Sequence, residues 1–377
     1  MKILIAAGIF PPDIGGPALY AKEIAGQFNN QGIRTDVVCY ANEKIKDNYN
    51  FKVFKVLRKH SLIIRYFLYF LEILSIARKY DLIYAQGPVG SGFPSSKVAK
   101  LLNKKFVVKV TGDYAWEQAR NSGVYIGSIE DFQKLKFQGK IGKLQKIERK
   151  TCNSADFVIV PSQYLRKIVA TWGVDNAKIK VIYNAVKKNP FISSKDRDNN
   201  LILSIGRLVS WKGFDVLIGL MPELLKINPD FKLVILGSGP EQDNLNNLIN
   251  KLGLQEKVFI SHQSHESVLD YLVRAGIFVL NTDYEGLSHT ILEAMQAGTP
   301  VAASNIGGNP ELIQDNYNGF LFEYNNKEQI KNVILKIYQN SAIKERFNTN
   351  SKKVSKKFVF NKMIQDTLIF LRELCGS

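Results

Sequence analysis

Short, nearly unbroken apolar runs alternate along this chain with longer amphipathic stretches. The runs KILIAAG (2–8), TDVVCY (35–40), DLIYAQG (81–87), FVVKVTG (106–112), DFVIVPS (156–162) and IKVIYNA (179–185) have the length and composition of buried strands. Helical periodicity fills stretches between them, notably 17–31 and 59–79. Strands apolar on both faces, spaced by helices, predict a parallel sheet covered on both sides. The segment 186–200, VKKNPFISSKDRDNN, is polar, contains a proline and has no period, so it reads as a linker. The alternation resumes with LILSIGR (201–207), FKLVILGSG (231–239), KVFISHQ (257–263), GIFVLNT (276–282), TPVAAS (299–304) and GFLFE (319–323). The expected architecture is α/β, with two Rossmann-like, doubly wound domains over 1–186 and 201–357 joined by 187–200. A last helix over 358–377 is expected to pack back on the first domain. Ligands of such sheets bind outside the carboxyl ends of the strands. Two such domains facing each other would leave a cleft for two substrates.

A length of 377 residues fits two domains. Cys39, Cys152 and Cys375 lie far apart and form no C-x-x-C, which fits reduced thiols and supplies neither a disulfide framework nor a metal-ligand spacing. The start, MKILIAAGIFPPD, has one lysine and an apolar run ended by Pro11-Pro12, so it reads as a buried strand and not as a signal peptide. No stretch approaches the ~18 uninterrupted apolar residues of a membrane span. The best candidate, SLIIRYFLYFLEILSIARKY, is broken by Arg65 and Glu72. Charge changes the picture more. The formal net charge is +17, and residues 1–190 hold 31 Lys+Arg against 14 Asp+Glu, leaving 20 against 20 for the remainder. The whole excess lies in the first half, and that asymmetry points to an anionic partner there. No nucleic-acid reader motif accompanies it.

Candidate chemistry concentrates in the second half. In SIGRLVSWKGFDVLI (204–218) a strand ends at Gly206, and Arg207 and Lys212 follow, with Gly213 beside the lysine. Two cations just beyond a strand's carboxyl end suit a diphosphate. LGSGPE (236–241) sets Gly237 and Gly239 between a strand and a helix. They allow a close backbone–phosphate or backbone–base approach, or make a tight turn, since the full G-x-G-x-x-G is absent. EGLSHTILEAM (285–295) puts Glu285 in a turn and Glu293 in the helix that follows. Eight helical residues rotate ~80° and rise about 12 Å, so both can look toward one elongated ligand. The amides of Gly286, Leu287 and Ser288 can hold a phosphate at the positive helix end. The carboxylates accept from hydroxyls instead: Glu293 suits a ribose diol, Glu285 a sugar hydroxyl. Two rival readings stand. Thr290-Ile-Leu-Glu293 also matches a capping box, and Glu285 also suits a solvated turn. Asp196-Arg197-Asp198, the only D-x-D, reads as solvated linker charge.

The segments GRLVSWKG, LGSGPE, EGLSHTILEAMQAGTPVAAS and GGNPELI, in this order and spacing, resemble the C-terminal half of retaining glycosyltransferases of family 4, which have the GT-B fold. IFPPDIGGPALYAKEIAGQF resembles that family's glycine loop and first helix, and SADFVIVPSQYL and KIKVIYNAV its domain-closing segments. The resemblance covers nearly the whole chain and is most specific at the two glutamates. It implies that Glu285 contacts the donor sugar and Glu293 the ribose. Arg207 and Lys212 would neutralise the departing diphosphate, taking the place of a metal ion. Gly15 and Gly16 would let the backbone approach donor phosphate and acceptor. No cofactor and no metal is then expected. One departure stands out. The family often has a histidine after an N-domain strand, whereas this chain has His60, His262, His265 and His289 and reads TGDYAWEQ at that place. Asp113 occupies the position, with Glu117 in reserve, as a group to orient or deprotonate an acceptor hydroxyl. Its rival reading is a helix N-cap.

Two stretches of the first half bear on the anionic partner. Segment 59–79 interleaves Tyr66, Phe67, Tyr69 and Phe70 with cations at both ends, and 134–150 carries a single acid among its lysines and arginine. Both suit an anionic membrane surface; a buried helix and a solvated face are the alternatives. The reading reached is a two-domain, metal-independent, retaining transferase at the cytoplasmic face of a membrane. It would move a hexosyl or N-acetylhexosaminyl group from a nucleotide sugar, UDP before GDP, to a lipid-linked or polysaccharide acceptor. A nucleotide-sugar 2-epimerase, a phosphorylase or a non-catalytic basic membrane- or polyanion-binding protein are the competing readings.

Overall fold

The computed structural model describes residues 1–13, 15–43, 48–187 and 197–376. The chain divides into unit 1, Met1–Ile182 with Asn361–Ser377, and unit 2, Tyr183–Phe360. Each is built around one fully parallel sheet.

Unit 1 contains β1 (Ile3–Ala7), β2 (Thr35–Ala41), β3 (Val53–Leu57), β4 (Leu82–Gln86), β5 (Lys105–Lys109), β6 (Phe157–Val160) and β7 (Ile179–Val181). Their order is β3-β2-β1-β4-β5-β6-β7. Every residue of β1 is buried, as a central strand covered on both faces requires. β3 is not among the strands read from the sequence. It lies at the sheet edge, only Val56 of its five residues is buried, and Lys55 interrupts its apolar pattern, as edge strands tolerate. The helix Leu62–Ala77 starts after Ser61 and buries Tyr69, Ile73, Ile76 and Ala77. The Tyr69 hydroxyl ties it to the sheet through the carbonyls of Ala7 (3.1 Å) and Val38 (2.9 Å). The helix Phe360–Cys375 sets Phe370 edge-on against Phe157, 5.1 Å between ring centres.

Unit 2 contains β8 (Asp198–Ile205), β9 (Lys232–Leu236), β10 (Val258–Ser261), β11 (Ala275–Leu280), β12 (Val301–Ser304) and β13 (Phe320–Phe322), in the order β10-β9-β8-β11-β12-β13. Strand order reverses between β8 and β11. This is a topological switch point, where the loops leaving the two strands diverge and a ligand can enter. The expected linker needs correction at its end. Residues 188–196, Asp196 included, lie outside the described residues. Arg197 is no solvated charge: its guanidinium donates to the carbonyls of Ala275 and Ala297, both at 3.2 Å. Asp198 opens β8 and accepts from the Asn200 amide at 2.9 Å.

Candidate functional site

The loops that leave β8 and β11 bring Lys212 and Glu285 of unit 2 together. After β8 the chain passes Gly206 and Arg207 into a short turn, Ser210–Lys212, ended by Gly213. Gly213 has φ +50°, and a Cβ there would overlap the Asn281 side chain. Asn281 donates instead to the Gly213 carbonyl (3.0 Å) and to Asn325 Oδ1 (2.8 Å). Asp283 N donates to the Trp211 carbonyl at 2.8 Å. The two loops are thus fastened to each other, and Lys212 Nζ forms an ion pair with Glu285 Oε1. Both side chains are largely buried, at 12% and 19% exposure. Arg207, by contrast, is exposed, and its side chain makes no hydrogen bond or ion pair among the described residues.

The 285–288 loop is held from behind by GGNPE. The Gly308 amide donates to the Glu285 carbonyl at 2.8 Å, and a Cβ at Gly307 or Gly308 would overlap the backbone of Glu285 or Gly286. Among the described residues, the amides of Gly286, Leu287 and Ser288 donate to nothing. Such groups in a nearly buried loop need a partner. They precede the helix His289–Gln296, whose positive end favours an anion.

The structure removes one of the two readings of Glu293. The helix N-cap is Ser288, whose hydroxyl accepts from Ile291 N at 3.3 Å. The capping box would need Thr290 at that position, so it is not formed. Glu293 sits a turn further in, its side chain 13% exposed and its carboxylate without a hydrogen bond among the described residues; His265 Nε2 stands 3.8 Å from Oε1. Burial pushes its carboxyl up to about 7. Gly237 and Gly239 have a duty inside the fold. A Cβ on either would overlap the backbone of Gly206 or Leu208, and Leu208 N donates to Ser238 O at 3.0 Å. The glycine turn therefore supports the Arg207 loop from beneath.

In unit 1, Gly15 caps the helix Gly16–Asn30, and a Cβ on Gly16 would meet nothing within 4 Å, so the backbone there borders open space. Asp13 anchors this glycine loop to the Arg58 guanidinium, which donates to Oδ1 at 2.9 Å and holds the carboxyl below its usual range. Asp113 does not stand free as a catalytic group. It is the N-cap of Tyr114–Asn121, 2% exposed, with Oδ1 accepting from Trp116 N (2.7 Å) and Oδ2 from Gln133 Nε2 (2.8 Å). Glu148, which the sequence did not single out, serves the same helix start, accepting from Tyr114 N (2.8 Å) and Ala115 N (3.2 Å). Its signal was one acid in a strongly basic helix, Gly139–Asn153.

A family model for glycosyl transferases group 1 matches residues 185–354, and one for glycosyltransferase family 4 matches residues 14–189. An uncharacterised glycosyltransferase of Methanocaldococcus jannaschii is 26% identical over 98% of this chain and 97% of its own length. A GDP-mannose-dependent alpha-(1-6)-phosphatidylinositol monomannoside mannosyltransferase of Mycolicibacterium smegmatis is 30% identical, over 45% of this chain and 50% of that protein. Among solved structures, Anabaena HepE in complex with UDP and glucose superposes with a TM-score of 0.79 at 21% identity, covering 99% of this chain and 100% of that one.

Proposed function

Because the chain belongs to the glycosyltransferases of family 4, with the GT-B pair of Rossmann-like units, we propose a specific division of labour for its nucleotide-sugar chemistry. The donor diphosphate binds the amides of Gly286, Leu287 and Ser288, with Arg207 and Lys212 beside it. Glu293 accepts from the ribose and Glu285 from the transferred hexosyl or N-acetylhexosaminyl group. The observation that carries this reading is the row of three amides at a helix start that donate to nothing among the described residues, next to Glu285 and the Lys212 paired to it. That ion pair fixes the Glu285 side chain beside Lys212, between the two halves of the donor. As the sugar–phosphate bond breaks, Arg207 and Lys212 stabilise the charge that develops on the leaving diphosphate, a task that needs no metal ion. Retention of anomeric configuration is what family 4 membership implies. UDP is favoured over GDP because the HepE structure holds UDP.

Replacing Lys212 or Glu285 by alanine is expected to lower turnover by about 10²–10³ with an intact fold; rates near wild type in either variant would sink the reading. NDP release only on addition of an acceptor glycan separates transfer from epimerisation.

The acceptor proposed is lipid-linked or polysaccharide, met at the cytoplasmic face of a membrane. Among the described residues no helix is long and apolar enough to cross one. The helix Leu62–Ala77 exposes Leu62, Ile63, Phe67 and Leu71. Gly92–Leu102 packs between it and the basic helix Gly139–Asn153. Across that face Lys97, Lys100, Lys140, Lys143, Lys146 and Lys150 are exposed and make no ion pair among the described residues. Desolvation and the charges of Lys150 and Lys100 push Lys97 downward, a crowding that an anionic surface relieves. Flotation with anionic liposomes that weakens with salt is expected; absence of flotation at low salt contradicts it.

A further inference from the structure

His265 belongs to none of the motifs above. It opens the helix His265–Arg274, just beyond the loop that leaves β10. Ser264 caps that helix, its hydroxyl accepting from Ser267 N at 3.3 Å and lying 3.1 Å from the Ser267 hydroxyl. The loop is tied to the glycine turn by Gly237 N, which donates to the Ser261 carbonyl at 2.9 Å. Packing of this helix against His289–Gln296 brings the imidazole beside Glu293. Nε2 stands 3.8 Å from Glu293 Oε1, with the histidine 61% exposed. That gap is too long for a hydrogen bond, yet one hydroxyl oxygen can lie ~2.8 Å from both atoms. A carboxylate only accepts. A hydroxyl that donates to it keeps lone pairs, which an imidazole N–H can fill.

We propose that His265 and Glu293 form a two-sided clamp for the vicinal diol of the donor's ribose, closed by ligand hydroxyls that bridge the gap between them. The clamp rests on the donor-site reading above and makes the site selective for ribonucleotides over deoxyribonucleotides. His265 lies at a solvent-exposed helix start, so its replacement leaves the sheet and its core untouched.

Calorimetric titration of UDP, 2′-deoxy-UDP and 3′-deoxy-UDP into wild type, His265→Ala and His265→Gln tests it. Wild type is expected to lose about tenfold in affinity or more for each missing hydroxyl. His265→Ala is expected to bind UDP about tenfold more weakly and to lose about that factor of discrimination at one of the two hydroxyls. His265→Gln, which keeps an N–H donor, is expected to recover part of both. Unchanged UDP affinity in His265→Ala, or full discrimination at both positions, overturns the clamp. A wild type that binds neither UDP nor GDP overturns the donor-site reading and the clamp with it.

Discussion

Asp113 and Glu148 in unit 1 and Glu293 in unit 2 are carboxylates buried at or near the first turns of helices, and burial pushes all three upward in pKa. What separates them is how their hydrogen-bonding capacity is used. Asp113 and Glu148 accept from three backbone amides and the Gln133 side chain, all within unit 1. Their role is complete without a ligand. The Glu293 side chain is mostly buried, yet its carboxylate accepts no hydrogen bond among the described residues, and the amides of Gly286, Leu287 and Ser288 are equally unspent. Burial and a raised pKa are common to structural and binding carboxylates. Unused donors and acceptors gathered at one switch point are what the proposed donor site rests on.

The largest effect expected from this contrast is kinetic. Lys212→Ala is to lose about 10²–10³ in turnover with its melting temperature unchanged within a few degrees, whereas Asp113→Ala is to keep turnover per folded molecule within about threefold. Next comes stability. Asp113→Ala removes an N-cap and is expected to cost about 1–2 kcal/mol in chemical denaturation. Loss of turnover in Asp113→Asn without loss of stability would return Asp113 to the catalytic group. The smallest effect is a pH dependence. The folded chain holds the Glu293 proton up to about 7, well above its ordinary 4.5. Between those values the unfolded chain binds fewer protons than the folded one, so this group lowers stability as pH rises from 4.5 to 7. Glu293→Gln is therefore expected to raise the melting temperature by a few degrees at pH 8 and to leave it unchanged near pH 4.5. An equal shift at both pH values would contradict the carboxylate's isolation.

Most strands are readable in the sequence because a parallel strand covered on both faces must be nearly apolar throughout, as ILIAA and FVIV are. β3 escapes that logic, since an edge strand needs no such run. The two glutamates and two cations are readable from their spacing, but the local rule for Glu293 misleads. Thr290-x-x-Glu293 satisfies a capping pattern that Ser288, two residues earlier, pre-empts. Asp113 shows the converse: a motif position suggests chemistry, and only the partners Trp116 N and Gln133, the second twenty residues away, reveal a cap. Gly237 and Gly239 suggest a ligand when read alone. Their necessity lies in a neighbouring strand's loop, which the sequence does not place beside them. His265 carries no sequence signal at all, because its meaning comes from the 3.8 Å to Glu293 across a loop and a helix.

The central claim is that unspent amides and the Glu293 carboxylate of unit 2 bracket a nucleotide's phosphates and ribose. A crystal structure of the protein with bound UDP tests it most directly. The expected result has the diphosphate within hydrogen-bond reach of the amides of Gly286, Leu287 and Ser288, Arg207 and Lys212 turned toward it, and a ribose hydroxyl on Glu293. UDP bound with its phosphates elsewhere, or with the Glu293 carboxylate still without a hydrogen bond, would contradict it.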